Sequence, residues 1–190
     1  MVFGLGNPGS EYASTRHNAG FLVADVLAQR WELPAFRPAG RALITKGTGA
    51  EQVVLVKPLT WMNLSGEALA PFLESTEFSP SRDLLVVSDD FAIPLGTFRL
   101  RGAGSSGGHH GLDSVAQALG SEDYPRLRVG IGPLPLASDA ATFVLSHWSP
   151  EELEQLSEAM PGMLEAVECW IDEGIEIAMS RFNRRTASGS

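Results

Sequence analysis

The chain is poor in cysteine, has no long apolar run and carries fewer basic than acidic side chains. Its one cysteine, Cys169, excludes a disulfide framework within the chain, which fits a reducing compartment. No apolar run reaches the roughly 18 residues that a membrane helix needs. Met1 leads into a predicted strand, without the basic and apolar segments of an export signal. We therefore expect a cytoplasmic protein that makes no membrane contact.

The shortage of positive charge argues against sequence-blind binding to nucleic acid. Fourteen basic side chains face 23 acidic ones, a net charge of −9, whereas such binding depends on neutralising phosphates. The charge is unevenly spread, because much of the acid lies between residues 151 and 176. Local patches decide binding more than net charge does. The arginines of the second half that could form a patch are Arg99, Arg101, Arg126, Arg128, Arg181, Arg184 and Arg185.

The composition is that of an ordinary globular protein. The chain has 190 residues, of which 44% are hydrophobic and 19% charged, enough for one domain with a real core. Predicted strands alternate with predicted helices, which indicates an α/β fold. We expect a single-domain sandwich in which a mixed, mostly parallel, twisted sheet has helices on both sides. Residues 1–185 would form one catalytic domain, and 186–190 a frayed tail.

Apolar periodicity and turn residues predict the individual elements. Strands are expected at 1–5, 42–46, 52–57, 83–88, 96–101 and 126–131, with a hairpin turn at 47–49. Helices are expected at 18–30, 64–74 and 112–119. Ser149-Pro150-Glu151-Glu152 predicts a capped helix start. Pro161 is expected to interrupt that helix, and a last long helix to continue through Phe182.

The glycine-rich opening, residues 4–9, matches G-x-G-x-x-G by letter but is not a good dinucleotide fingerprint. Pro8 stands where a phosphate-binding helix should begin to donate N–H groups, and no acidic residue ends a second strand at the usual distance. Pro8 also biases Asn7 toward an extended conformation. The turn is therefore stiff at Asn7 and permissive around it.

Four polar segments interrupt apolar elements, and three of them lie at or just after a strand end. Ligands of open α/β sheets bind at the carboxyl ends of strands, so the segments are expected to converge. Within them His17 could take a proton from water, and a carboxylate from Asp89 or Asp90 could fix its tautomer. The four segments are Asn7 with His17, the run 60–63, the run 88–90, and the run 107–111.

Each of these residue types also has a purely structural interpretation. Asn63 could be a helix N-cap or an amide that pairs with a peptide unit, and paired aspartates are often turn residues. The neighbouring His109 and His110 suggest a metal site, but adjacent side chains diverge and chelate one ion poorly. No G-x-S-x-G elbow indicates a serine nucleophile. Arginines at alternating positions of two strands either form a solvated face or grip phosphate.

Four sequence blocks in order resemble bacterial peptidyl-tRNA hydrolases. The opening GLGNPG…Y…TRHNAG at 4–20 resembles the family's first signature, and PLTWMNLSG at 58–66 its second block. GSSGGHHGL at 104–112 resembles its loop-and-helix signature, and RLRVGIG at 126–132 the strand that follows. The blocks span residues 4 to 132, and the chain length also matches.

The resemblance implies an enzyme that cleaves the ester between a peptide and the 3′ ribose of tRNA, so that stalled peptidyl-tRNA is recycled. It implies a monomer that uses no metal and no cofactor. His17 is implied as the catalytic base, Asp89 as the group that orients it, and Asn7 as a further catalytic residue. The implied substrate-binding residues are Asn63, Tyr12, His109, His110 and Met62. Arg101 and Arg128 match the positions that contact acceptor-stem phosphate.

One position departs from the family pattern, which usually has asparagine after the loop histidine. His110 stands there, and a neutral imidazole cannot reproduce the paired donor and acceptor of an amide. Two alternatives to the hydrolase stay open. One is an RNA-binding relative without turnover, and the other is a metal-dependent hydrolase that uses Asp89, Asp90, His109 and His110.

Overall fold

The structure, a computed structural model, describes residues 1–47 and 53–183. The predicted turn at 48–49, the first residue of the predicted strand 52–57, Arg184, Arg185 and the predicted tail 186–190 lie outside the described residues. The strands are β1 Val2–Gly4, β2 Arg37–Ala39, β3 Ala42–Lys46, β4 Val54–Pro58, β5 Leu85–Pro94, β6 Phe98–Arg101 and β7 Arg126–Gly132. The helices are α1 Ala19–Arg30, α2 Ala70–Leu73, α3 Pro80–Asp83, α4 His110–Leu119, α5 Ala140–Val144, α6 Pro150–Glu173 and α7 Ile175–Phe182. Two 3-10 segments, Arg16–Asn18 and Met62–Leu69, complete the described elements.

All described strands belong to one sheet with the order β2-β3-β4-β1-β5-β7-β6. The four central strands are mutually parallel, since β1 pairs in parallel with β4 and β5, and β5 with β7. The outer strands β2, β3 and β6 run antiparallel to their neighbours. The predicted mixed, mostly parallel sheet is confirmed, and its central strands end at one edge.

Apolar side chains cover both faces of the sheet. Along β5, Leu85 and Val87 belong to one buried cluster and Val86 to the other, because successive side chains of a strand point to opposite faces. The first cluster packs against α1, α6 and α7, and the second against α4 and the 3-10 segment Met62–Leu69. Helices therefore lie on both sides of the sheet, as expected.

The predicted helix at 64–74 is a 3-10 segment for most of its length, followed by the single turn of α2. Close packing explains the departure. The Gly66 N–H donates to Ser114 Oγ of α4 at 2.9 Å. A Cβ on Gly66 would lie 2.1 Å from the Ser114 carbonyl oxygen. The segment follows the surface of α4 at a distance that only glycine permits.

The prediction for Pro161 was wrong, because α6 continues through it to Glu173. The buried neighbours Met160 and Met163 anchor the helix on both sides of the proline, so packing offsets the lost backbone hydrogen bond. The chain breaks instead at Gly174, whose φ of 85° ends α6 before α7 begins. The predicted capped start of α6 at Ser149 is confirmed.

Strand β5 is longer than its apolar run, so Asp89 and Asp90 lie within the strand and not after it. They pair with Val129 and Gly130 of β7, and the register shifts only before Pro94. The short edge strand β2 and helix α5 carry no clear periodicity and were not predicted. No helix within 1–47 and 53–183 is long and apolar enough to cross a membrane.

Candidate active site

A cleft of about 810 Å³ opens where the central strands end. The 3-10 turn Arg16–Asn18, the 3-10 segment Met62–Leu69, β5, β7 and the start of α4 all contribute to it. Helix α5 forms one apolar wall. The lining residues are Asn7, His17, Trp61, Met62, Asn63, Asp89, Asp90, Phe91, Ala92, Ser106, Gly107, Gly108, His109, His110, Arg128, Ala140, Ala141, Val144 and Leu145.

His17 lies in the turn before α1 and is 9% exposed. Its Nδ1 lies 2.9 and 3.1 Å from the two carboxylate oxygens of Asp89, although 72 residues separate the pair in sequence. An ionised carboxylate only accepts hydrogen bonds, so Nδ1 carries the proton and Nε2 keeps a lone pair. The ring is therefore held in the tautomer that can accept a proton from water.

Asp89 is shared between two histidines. Its Oδ1 lies 3.0 Å from His109 Nε2. His109 is the N-cap of α4, and its Nδ1 accepts the N–H groups of Gly111 and Leu112 at 3.1 and 3.3 Å. Because Nδ1 is an acceptor there, Nε2 carries the proton and donates to Asp89. The two imidazole rings lie 4.9 Å apart between their centroids.

These contacts set the charge of Asp89, which is 3% exposed. Burial alone would raise the pKa of this carboxyl, because it disfavours the charged form. The electrostatic and hydrogen-bond contributions of His109 and His17 outweigh burial and hold the pKa of Asp89 well below its usual range. Asp89 is therefore an anion at neutral pH, buried directly behind His17.

Asn7 is fixed by hydrogen bonds on three of its four polar groups. Its backbone N–H donates to Asn18 Oδ1 at 2.9 Å, and its carbonyl accepts from Asn18 Nδ2 at 3.0 Å. Its Oδ1 accepts the Met62 N–H at 2.8 Å, which assigns the oxygen of the amide. The remaining group, Nδ2, forms no hydrogen bond with the described residues and is the donor that Asn7 can offer in the cleft.

Met62 and Asn63 are the first two residues of the 3-10 segment that contacts Asn7 through the Met62 N–H. Trp61 is the N-cap of that segment, and no side chain caps it. Asn63 is exposed in the cleft, so its amide is not engaged as the N-cap that the sequence also allowed. Met62 is 5% exposed and forms part of the cleft floor.

His110, the first residue of α4, lies at the cleft with its side chain 78% exposed. Its Nδ1 is 3.9 Å from Asp113 Oδ2. Tyr12 does not line the cleft. It packs edge-on against Trp61 at a centroid distance of 5.9 Å, and Trp61, which the sequence analysis did not single out, is 54% exposed at the cleft.

The arginines of β6 and β7 lie on one face of the sheet but in different environments. Arg128 lines the cleft, and its Nε lies 3.0 Å from Asp90 Oδ2 in an ion pair that is not aligned as a hydrogen bond. Arg101 is exposed on the edge strand, outside the cleft lining, and forms no ion pair with the described residues. Its register neighbour Arg126 is 1% exposed, and burial lowers the pKa of its guanidinium.

Arg126 has a structural role and is not part of a phosphate-binding face. It donates to the carbonyls of Gly104, Ser105 and Glu122 at 2.5, 3.2 and 3.0 Å. Its guanidinium carbon also lies 4.1 Å from the ring centroid of Tyr124. These hydrogen bonds hold in place the glycine-rich loop that leads to His109.

The four residues considered for a metal site, Asp89, Asp90, His109 and His110, all line the cleft, but their possible ligand atoms do not form one close group. Asp90 is occupied by Arg128 and by the Ala92 N–H, and His110 is directed to Asp113. Within 1–47 and 53–183 the one group of three with metal-ligand atoms close together is His17, Asp89 and His109, whose atoms lie within 4.8 Å of one another. Both histidines direct those nitrogens at Asp89.

The wall formed by Ala140–Val144 and Leu145 was missed from sequence, because short apolar segments far along the chain carry no motif. Together, the sheet and the cleft with its buried histidine–carboxylate pair are typical of an enzyme that uses general base catalysis.

Comparisons with known proteins identify the family to which this enzyme belongs. A family model described as peptidyl-tRNA hydrolase matches residues 1–189. A protein named peptidyl-tRNA hydrolase from Gemmatimonas aurantiaca is 45% identical over 188 residues, covering 97% of this chain and 99% of that protein. One from Desulfitobacterium hafniense is 44% identical and covers 97% and 99%. The crystal structure of the Acinetobacter baumannii peptidyl-tRNA hydrolase superposes with a TM-score of 0.87 at 31% identity, over 96% of this chain and 93% of that one. The chain belongs to the peptidyl-tRNA hydrolase family.

Proposed function

We propose that this protein hydrolyses the ester between a peptide and the 3′ ribose of tRNA, with His17 as general base and Asp89 as the residue that orients it. The observation that carries this assignment is the buried bond from His17 Nδ1 to Asp89 at the floor of the cleft. It leaves Nε2 of His17 as a proton acceptor. Family membership supplies the substrate.

The reaction needs only water and the residues of the cleft. His17 Nε2 takes a proton from a water molecule as its oxygen attacks the ester carbonyl, and the carbonyl oxygen becomes an anion. Asp89 stabilises the imidazolium, which then protonates the departing 3′ oxygen of the ribose. The products are a free carboxylic acid and a tRNA with a free hydroxyl.

Asn7 is proposed to stabilise the oxyanion. The Met62 N–H donates to Oδ1 and fixes the orientation of the amide. The Nδ2 group then points in a set direction and forms no hydrogen bond with the described residues. A donor held in advance of the reaction can contribute about 3 kcal/mol to the transition state. An ester is more reactive than an amide, so an activated water can suffice where no serine nucleophile is present.

Asn63 and His110 are proposed to recognise the peptide unit. Both are exposed and line the cleft, where Asn63 follows the floor residue Met62 in sequence and His110 follows the α4 N-cap His109. A site that bonds to a peptide unit discriminates against a free aminoacyl group, which would leave its polar atoms unpaired. Tyr12, packed on Trp61, is proposed to lie near the tRNA terminus. Arg128 and Arg101 are proposed to contact acceptor-stem phosphates.

The same proposal includes one catalytic domain over residues 1–185, acting as a cytoplasmic monomer without metal or cofactor. The metal-dependent alternative keeps one supporting observation, the proximity of His17, Asp89 and His109. The RNA-binding alternative without turnover is tested by the same assay.

The test is cleavage of N-acetyl-aminoacyl-tRNA by EDTA-treated protein, wild type and His17→Ala. We expect wild type to keep full turnover after EDTA, and His17→Ala to lose at least about 10³-fold in kcat while its affinity for tRNA changes little. The matched control is His147→Ala, because this exposed histidine lies outside the cleft lining and its contacts with Thr15 and Arg16 are made by backbone atoms, which the substitution keeps. It should retain wild-type turnover.

Each alternative has its own outcome. Loss of turnover with EDTA and its return with added Zn²⁺ would establish the metal-dependent enzyme. Tight tRNA binding by wild type without any cleavage would leave the RNA-binding relative. Comparable cleavage by wild type and His17→Ala would remove His17 as the base.

A further inference from the structure

Arg16, the residue before His17, is a buried cation that neither the sequence motifs nor the reaction explains. It is 8% exposed. Its Nη2 lies 2.6 Å from both carboxylate oxygens of Glu152, and its Nη1 donates to the His147 carbonyl at 2.8 Å and to Ser146 Oγ. Its guanidinium carbon also lies 4.7 Å from the ring centroid of Phe143.

The backbone around Arg16 is tied to the same distant segment. Thr15 and His147 form an antiparallel bridge, and the Arg16 N–H donates to the Ser146 carbonyl at 3.1 Å. The Trp148 N–H donates to the Ser14 carbonyl at 3.2 Å. Residues 14–16 and 146–148 therefore form a small two-stranded contact outside the main sheet.

The partners of Arg16 belong to two helices with different roles. Phe143 lies in α5, whose Ala140, Ala141 and Val144 line the apolar wall of the cleft. Glu152 lies in the first turn of α6, where its Oε2 also accepts the Ser149 N–H at 2.7 Å in the capping box. One guanidinium thus joins the turn that carries His17, the end of α5 and the start of α6.

The charge on both partners makes this junction costly to disturb. Burial alone would raise the pKa of Glu152, but its hydrogen bonds to Arg16 and to the Ser149 backbone hold that pKa below its usual range. Removing the arginine would leave a partly buried anion without its counter-ion, which is more costly than losing a surface pair. The junction is therefore expected to loosen when Arg16 is removed.

We infer that Arg16 is a positioning residue that holds the α5 wall of the cleft against the catalytic turn, and that its guanidinium governs substrate binding more than the chemical step. The inference rests on the proposed function, because it takes the cleft as the place where substrate binds.

The division between binding and chemistry follows from how His17 is held. The ring of His17 is fixed by Asp89, and its turn is fixed by the reciprocal bonds between Asn18 and Asn7. None of these bonds involves Arg16. Helix α5, by contrast, has five residues, none of them fully buried, and packs on the core only through the partly buried Phe143 and Val144. The junction at its end therefore contributes much of what holds it in place.

The experiment measures kcat and KM of Arg16→Ala, Arg16→Lys and Glu152→Gln with N-acetyl-aminoacyl-tRNA. Deuterium uptake of the segment 140–148 is measured without substrate. The matched control is Arg30→Ala, which breaks a two-bond arginine–glutamate pair with Glu168, on residues outside the cleft lining. Melting temperatures establish that each variant is folded.

We expect Arg16→Ala to raise KM about tenfold, to keep kcat within about twofold and to leave the pH profile of kcat unchanged. Glu152→Gln should also raise KM, but by less. Arg16→Lys should raise KM less than Arg16→Ala does, because lysine keeps the charge but not the planar guanidinium that bonds to both carboxylate oxygens. Uptake by 140–148 should rise in Arg16→Ala and stay at the wild-type level in Arg30→Ala.

Unchanged uptake at 140–148, or a fall in kcat with KM unchanged, would overturn the inference. If Arg16→Ala does not fold, Glu152→Gln decides by the same two measurements. Failure of the proposed function would be seen in His17→Ala instead, because deuterium uptake needs neither substrate nor turnover.

Discussion

Charged side chains are buried in the cleft but exposed on the outer surface of the late helices. In the cleft, Asp89 is 3% exposed and lies within hydrogen-bond distance of two imidazoles. On the helical surface, Arg30 pairs with Glu168, and Arg181 with Glu173, through side chains that are 30 to 56% exposed. Both regions contain carboxylates with close, oriented hydrogen-bond donors, so distance alone does not distinguish them.

Solvent distinguishes the two regions. A buried charge has lost its hydration and depends on the few groups that face it, whereas water and salt screen an exposed pair. The buried carboxylate therefore sets the tautomer of His17 and the electrostatics around the scissile bond. The exposed pairs lie on the surface, where solvent screens them. Substitutions in the two regions should differ in effect by orders of magnitude.

After His17→Ala, the largest effect is expected from Asp89→Asn. An amide can present its N–H to His17 Nδ1, which would move the imidazole proton to Nε2 and remove the base. It also leaves the imidazolium of the transition state without its counter-ion. We expect kcat to fall about 10²- to 10⁴-fold with little change in tRNA affinity, measured by cleavage and by equilibrium binding. Retention of more than a tenth of wild-type kcat would contradict the role of Asp89.

The pH dependence of stability gives a second readout of Asp89 that needs no substrate. Its pKa is lowered in the folded chain, so the unfolded chain takes up the proton first as pH falls. The stability that the ionised group contributes is complete above its ordinary pKa of about 4 and is lost below it. Urea unfolding should therefore show a smaller loss of stability between about pH 5 and pH 3 in Asp89→Asn than in wild type.

Much of the cleft could be predicted from sequence because its parts are local. The glycine-rich turn, Asn7 and His17 lie within one short stretch, and short apolar runs predicted the central strands. The pairing of His17 with an aspartate could be proposed, since carboxyl ends of parallel strands meet at one edge. The choice of Asp89 over Asp90 could not be made from the residues alone, because it depends on which face of the sheet α1 covers. Asp89 shares the face of Leu85 and Val87, which pack with α1.

Features that depend on distant segments could not be predicted. Arg101 and Arg126 have the same alternating pattern and are register neighbours, yet one is exposed and the other buried. The difference arises because the loop 102–106 folds over Arg126 and offers it carbonyls. Tertiary packing also brings His109 to Asp89 and places α5 at the cleft. No sequence motif predicts either contact.

An intermediate effect is expected from the arginines that the proposal assigns to phosphate. Arg101 lies on the edge strand β6 and Arg128 in the cleft, so both are accessible to an acceptor stem. Replacing either by alanine should weaken tRNA binding several-fold and reduce the log–log salt slope by about 1, because one phosphate contact is lost. Turnover at saturating substrate should stay near wild type in Arg101→Ala, whereas Arg128→Ala also leaves the buried Asp90 without its counter-ion and should lower turnover as well.

Arg37 provides the matched control for Arg101, since it is an exposed arginine on the edge strand β2 at the opposite end of the sheet. Arg37→Ala removes the same charge and should leave the salt slope unchanged. An equal change of slope in Arg37→Ala and Arg101→Ala would show that net charge, and not a phosphate contact, governs binding.

The smallest effect is expected on the helical surface. Arg30 donates to Glu168 at 2.7 and 2.9 Å, and Trp31 Nε1 donates to the same carboxylate at 3.0 Å. Because the arginine is exposed, Arg30→Ala should change neither kcat nor KM by more than about twofold, and the Trp31 bond should keep Glu168 in place. The measurement is cleavage at low and at high salt. A salt-sensitive loss of turnover in Arg30→Ala would mean that the outer surface communicates with the cleft, and that burial is not what separates the two regions.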